Sequence, residues 1–145
     1  MATPTSTENR RVMLHPYFVC FGSALLMGGL AADAMYYTSS LWQWANFAAW
    51  LIAAGLVVAL VATIVLIIDF ITARAGRINW IRFTVIAAAA LLSLLNMFVH
   101  SRDAWTSVVP QGIGLSVLVT VLLLFAALRG WKVTDPRVVS TGDRG

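Results

Sequence analysis

The chain has 145 residues, of which 60% are hydrophobic and only 11% are charged. Soluble domains carry roughly 25% charged residues, so this composition excludes an ordinary soluble enzyme and leaves no space for a separate catalytic domain. The net charge is +4, but the basic residues stand at the ends of apolar runs. Membrane orientation explains basic residues in those places, and we therefore expect no nucleic-acid partner.

Four apolar runs predict four helices that cross a lipid bilayer. The second run, residues 47–68, has no charged residue and no proline. Its length is the roughly 20 residues that a helix needs to cross the hydrocarbon core. We therefore predict an all-α fold, an integral membrane four-helix bundle, with helices at about residues 16–38, 46–72, 79–100 and 111–130.

The segments outside these helices predict two tails. Residues 1–12 are polar and without periodicity, so we expect an N-terminal tail there. The transmembrane domain is expected over residues 13–132, and residues 133–145 are expected to be a flexible C-terminal tail. Arg10 and Arg11 precede the first apolar run as in a signal segment, but we interpret this run as a retained first helix.

Small residues recur every four positions along three of the predicted helices. Such faces let helices approach closely in lipid. They pack the bundle or offer a groove to partner helices. The faces are Ala24, Gly28 and Ala32 in the first helix, Gly55 and Ala59 in the second, and Gly112, Ser116 and Thr120 in the fourth.

The distribution of Lys and Arg predicts the orientation of the bundle. Of the 10 basic residues, only Arg102 falls on one side, and the other nine fall on the opposite side. Cytoplasmic loops carry such an excess. We therefore expect both termini in the cytoplasm, and a multi-pass protein of the bacterial cytoplasmic (inner) membrane in contact with the lipid bilayer.

This topology sorts the polar residues of the helices into two layers. The cytoplasmic layer holds His15, Asp69 and Arg82. Because ion pairing is the usual way to place charge near a membrane, the preferred interpretation is an Asp69–Arg82 ion pair. The alternative is a ligand or proton site among the first three helices.

The outer layer holds Asp33, Asn96, His100, Arg102 and Asp103. The preferred interpretation is a hydrogen bond from the Asn96 and Arg102 region to Asp33 that holds helices together. The alternative is a quinone or proton pocket lined by Asp33 and His100. The cofactor-binding candidates are thus His15, His100, Asp33 and Asp69.

The two histidines limit the cofactors that the chain can hold. His15 and His100 are expected at opposite membrane faces, roughly 30 Å apart, so they cannot ligate one haem in a monomer. We expect no metal and no bound cofactor, although haem b on one histidine or between subunits, or a quinone, stays possible. The local motifs of zinc proteases, nucleotide-binding loops and c-type haem attachment do not occur in the sequence.

Several short motifs, in order and at similar spacing, resemble the bacterial family called domain of unknown function 2231. The resemblance covers roughly residues 14–131 and rests on His15-Pro16, Asp33, residues 51–55 (LIAAG), Ile68-Asp69-Phe70, Trp80-Ile81, Leu95-Asn96 and Arg102. It implies a small four-helix membrane protein. Family members resemble one another in a histidine just after the Trp80-Ile81 position, which with His15 and Asp69 implies a metal or haem site. In this chain Arg82 occupies that position, so the resemblance does not supply the second histidine of that site.

The leading functional hypothesis is a non-catalytic anchor or accessory subunit of a larger membrane complex. A redox role is favoured because members of the resembled family are often found beside redox domains, an argument by association. The alternative is an electron-transfer protein that binds haem or quinone. A transporter is less favoured, because broken helices and inverted repeats are not visible.

Overall fold

The computed structural model describes residues 12–102 and 108–136, and its four helices match the four apolar runs. All four are long and apolar enough to cross a membrane, which confirms the predicted all-α membrane bundle. A short irregular helical turn, Val108–Gly112, leads into the last helix, and the fourth candidate span includes most of this turn and runs over Val109–Leu128. The elements are α1 (His15–Ser39), α2 (Trp42–Ile71), β1 (Ala75–Ile78), α3 (Trp80–His100), α4 (Ile113–Leu128) and β2 (Thr134–Pro136).

Local chain geometry explains where the helices begin and end. Pro16 stands in the first turn of α1, where its missing N–H has no partner within the helix anyway. Ser40 closes α1 in a left-handed conformation, and its N–H donates to the carbonyl of Tyr36 at 2.7 Å. Helix α2 follows at Trp42, so the predicted start at residue 46 is four residues late.

The closest helix packing joins α1 to α2. Gly22 and Gly55 face each other, and a Cβ built on Gly55 would lie 2.7 Å from two atoms of Leu26. Helix α4 packs against both α1 and α3, whereas α2 and α3 touch more sparsely. The apolar core between the helices consists of Leu26, Ile52, Ala89, Val119 and Leu123.

The predicted small face of α1 is only partly at a helix interface. Ala24 is exposed, Gly28 is half-buried and Ala32 is buried. A step of four residues turns an α-helix about 40° beyond a full circle, so this series rotates from the lipid side into the bundle. In the other two faces, Gly55, Gly112 and Ser116 are buried, while Ala59 and Thr120 are half-buried.

A two-stranded antiparallel sheet closes one end of the bundle. The Asn79 N–H donates to the carbonyl of Val133 at 2.8 Å, and the Thr134 hydroxyl donates to the sulfur of Met13 at 3.2 Å. Val133 and Thr134 are buried. The prediction of a flexible tail from residue 133 is therefore wrong for residues 133–136, because Thr134–Pro136 pairs with β1 and Val133 accepts the hydrogen bond from Asn79. Residues 137–145 and 1–11 of the predicted tails lie outside the described residues.

Candidate functional site

Two buried carboxylate–histidine pairs occupy opposite ends of the bundle. His15 pairs with Asp69 at the end closed by the sheet, which we call the basic end because it also carries Arg82, Arg129 and Lys132. Asp33 pairs with His100 at the opposite end. The structure thus joins the four predicted cofactor-binding candidates in two separate pairs.

At the basic end, Asp69 caps the start of α1. Its Oδ2 accepts hydrogen bonds from the backbone N–H groups of Leu14 at 3.0 Å and of His15 at 3.1 Å. The same oxygen lies 2.9 Å from Nδ1 of His15. The first N–H groups of a helix lack partners within it and carry partial positive charge. Asp69, near the end of α2, supplies the partner that they need.

The predicted Asp69–Arg82 ion pair is wrong. Nη1 of Arg82 instead donates to the backbone carbonyl of Lys132 at 3.1 Å. The physical reason is that the first turn of α3 lies beside the segment that follows α4. Asp69 is satisfied by the N-terminus of α1 and does not need the guanidinium.

The contact with Asp69 determines which nitrogen of His15 is left free. An ionised carboxylate only accepts hydrogen bonds, so Nδ1 is the nitrogen that donates to Asp69, and a ring that is neutral then has its lone pair on Nε2. That Nε2 is buried and has no hydrogen-bond partner among residues 12–102 and 108–136, and the same holds for Oδ1 of Asp69. An unpaired buried polar atom costs about 1–3 kcal/mol, which makes Nε2 a candidate for binding.

His15 also lies in the wall of a cavity of about 440 Å³ between α1, α2 and α3, which we call the α1–α2–α3 cavity. Its wall is apolar apart from His15, Ser23 and Thr63. Both hydroxyls donate to carbonyls of their own helices, Ser23 to Val19 and Thr63 to Ala59. Lipid-facing leucines at positions 60, 91 and 94 line the opening, so a ligand would enter from the bilayer.

At the opposite end, four side chains form a hydrogen-bond network. Nε2 of His100 lies 2.9 Å from Oδ1 of Asp33, and the Ser116 hydroxyl donates to Oδ2 of Asp33 at 2.6 Å. Asn96 donates to Ser116 at 2.8 Å. Nδ1 of His100 lies 3.0 Å from the carbonyl of Asn96. Both nitrogens of His100 and both oxygens of Asp33 thus have partners, in contrast to the pair at the basic end.

This network corrects the sequence interpretation in two respects. Arg102 is exposed and is not among the partners of Asp33. Ser116, which we predicted only as a packing residue, connects Asp33 to Asn96. A serine in an apolar helix gives no signal of its partner, because the contact spans 83 residues of sequence.

The two pairs lie too far apart to share a metal or a haem iron. Asp33 lies 18 positions after His15 in α1, which corresponds to about 27 Å of helix. Within residues 12–102 and 108–136, no group of three or more His, Cys, Asp or Glu side chains could hold a metal ion.

Comparison with known proteins gives one family match. A family model described as "Predicted membrane protein (DUF2231)" matches residues 11–142. This match confirms the resemblance seen in the sequence and extends it at both ends. No curated protein and no solved structure matches the chain.

Proposed function

We propose that this chain, which belongs to the DUF2231 family of predicted membrane proteins, binds a lipid-soluble ring compound of the quinone class. The binding site would be the α1–α2–α3 cavity. The observation that carries the proposal is that His15 lines this cavity and that its buried Nε2 has no hydrogen-bond partner among the described residues. The chain would bind this compound without converting it.

The chemistry of the His15–Asp69 pair suits the reduced form of such a ring. A quinol hydroxyl would donate a hydrogen bond to the lone pair on Nε2, while the Nδ1–H group keeps its hydrogen bond to the carboxylate of Asp69. The hydrogen bond would supply the partner that the buried nitrogen lacks. The apolar tail of the quinol would fill the rest of the cavity, whose volume falls in the range of small-molecule sites, about 300–1,000 Å³.

Haem b fits the cavity less well than a quinone does. The same lone pair on His15 would suit an iron ligand. However, the residues of the cavity wall include no Lys or Arg to pair with the two haem carboxylates, and no second histidine. A neutral ring with an apolar tail needs neither.

The test measures quinone bound to the full chain after purification in mild detergent. Organic extraction and chromatography of the wild-type protein should yield about one quinone per chain. His15→Ala should lose it, because the hydrogen-bond acceptor is gone. His100→Ala is the matched control, since it removes the other buried histidine and leaves the cavity intact.

Two results would overturn this proposal. One is a Soret band in the wild-type protein that disappears in His15→Ala, which would identify a haem ligand. The other is equal quinone content in His15→Ala and wild type, which would mean that quinone partitions into the detergent micelle only.

A second candidate function is a non-catalytic anchor or accessory subunit of a larger membrane complex, with a redox complex the preferred partner. The exposure of Ala24 favours it, because a small lipid-facing residue lets a helix of another chain come close. Ala24→Leu should then reduce the recovery of partner chains in affinity purification. Ala54→Leu is the control, since Ala54 is exposed on α2. Equal recovery from both variants would exclude this face of α1 as the interface.

A further inference from the structure

We propose that a second cavity, at the basic end, binds the headgroup of an anionic glycerophospholipid. This cavity has a volume of about 720 Å³ and is lined by residues from the start of α1, from α3 and from the segment after α4. We call it the headgroup pocket. It is distinct from the α1–α2–α3 cavity, and none of its lining residues lines that cavity.

Three cations surround the headgroup pocket: Arg82, Arg129 and Lys132. Among the described residues the ion pairs are the two histidine–aspartate pairs, so these three cations have no carboxylate partner in that part of the chain. Basic pockets between transmembrane helices on the cytoplasmic side are typical binding sites for anionic lipid headgroups.

Two of the cations are held in place by other groups. Nη1 of Arg82 donates to the carbonyl of Lys132, which leaves the other N–H groups of the guanidinium to bind an anion. The guanidinium of Arg129 stacks over the ring of Phe125 at 4.9 Å. A guanidinium held in this way loses less freedom when it binds a phosphate than a mobile side chain does.

The chain after α4 turns back so that Lys132 reaches this pocket. Gly130 has a φ of +83°, a conformation that favours glycine over residues with a Cβ. The turn places Trp131 and Lys132 in the pocket wall. Trp131 is half-buried, and tryptophan is typical of the depth at which lipid headgroups lie.

The opposite part of the pocket is apolar and leads into the bilayer. Pro16, Tyr17 and Cys20 line it along α1, and Cys20 is exposed. From Pro16 to Cys20 the helix rises about 6 Å. The pocket is thus cationic at the membrane surface and apolar deeper in, which matches the order of phosphate and acyl chain in a phospholipid. A free phosphate ion would need only the cationic part.

The test measures lipid binding to the full chain by native mass spectrometry. The probes are phosphatidylglycerol, zwitterionic phosphatidylcholine and inorganic phosphate. We expect phosphatidylglycerol to bind, phosphatidylcholine to bind at least tenfold more weakly, and phosphate not to displace the lipid. Displacement by phosphate at equal concentration would identify a soluble-anion site and overturn the lipid assignment.

Variants test whether the pocket or the general surface charge is responsible. Arg82→Gln, Arg129→Gln and Lys132→Gln should each weaken phosphatidylglycerol binding about fivefold. Arg82→Lys should retain more binding than Arg82→Gln. Arg77→Gln is the matched control, because Arg77 is an exposed cation of β1 at the same end and does not line the pocket. An equal loss of phosphatidylglycerol binding in Arg77→Gln and in the pocket variants would overturn the proposal that this pocket is the binding site.

A further variant tests the pocket without changing charge. Cys20→Trp fills the apolar part from the lipid-exposed side of α1 and should weaken phosphatidylglycerol binding while the bundle folds normally. Unchanged binding in Cys20→Trp would show that acyl chains do not enter the pocket, and would contradict the proposal.

Discussion

Gly55 sets the distance between α1 and α2, and this role makes a prediction at the scale of one residue. In Gly55→Ala the new Cβ would meet Leu26 at 2.7 Å. Because overpacking a filled interface costs about 1–3 kcal/mol, we expect a loss of that size in the free energy of unfolding, measured by titration with a denaturing detergent. Gly114→Ala is the control, since a Cβ there meets no atom within 4 Å. Equal stability of both variants would contradict this explanation of the packing.

Ser116 and Ser93 allow a second comparison of single residues. Both are buried, but Ser93 donates to the carbonyl of Ala89 in its own helix, whereas Ser116 connects Asp33 to Asn96. Ser116→Ala should lower the free energy of unfolding by about 1–3 kcal/mol, because it leaves buried polar atoms unpaired. Ser93→Ala should cost less, and the reverse order would show that the network does not hold the helices together.

The candidate site could be predicted only in part from the sequence. An ionisable residue in an apolar run stands out, so His15, Asp33, Asp69 and His100 were identifiable without a structure. Their partners were not, because the contacts join residues 54 and 67 positions apart. Charge alone favoured Arg82 as the partner of Asp69. The backbone N–H groups at the start of α1, which take that place, carry no signal in the sequence.

Among the elements, the helices were predictable and the small sheet was not. A bilayer requires long apolar helices, so each apolar run determines one. Strand β1 has four residues and β2 has three, too few to show the alternation that marks a strand. Two helices, α3 and α4, lie between them in the sequence. The segment that covers the basic end therefore looked like a tail.

Strand β2 gives a prediction at this scale. Ending the chain after Lys132 removes the hydrogen bond from Asn79 to Val133 and the cover that Val133 and Thr134 provide. In the full chain His15 is fully buried. In the shortened chain we expect His15 to become reactive toward diethylpyrocarbonate, and mass spectrometry measures the modification. A chain that ends after Pro136 is the control and should protect His15 like the full chain. Protection in both would mean that β2 does not shield the site.

At the scale of the whole molecule, the charges predict the orientation in the membrane. In a background with Cys20→Ser, we place single cysteines at two exposed positions at opposite ends, Ser101→Cys after α3 and Asp135→Cys in β2. A membrane-impermeant maleimide added to intact cells should label the first and not the second, because the basic end should face the cytoplasm. Labelling of Asp135→Cys alone would reverse the assignment.

The short connection between α1 and α2 has a consequence for the order in which the protein is made. Only Ser40 and Leu41 separate the two helices, so they leave the ribosome as one hairpin. That hairpin already contains both His15 and Asp69, so this pair can form within it. The hydrogen-bond partners of Asp33 are His100 and Ser116, and both are synthesised after this hairpin. A half-made chain that ends before α3 therefore contains Asp33 without the two side chains that bond it in the finished bundle.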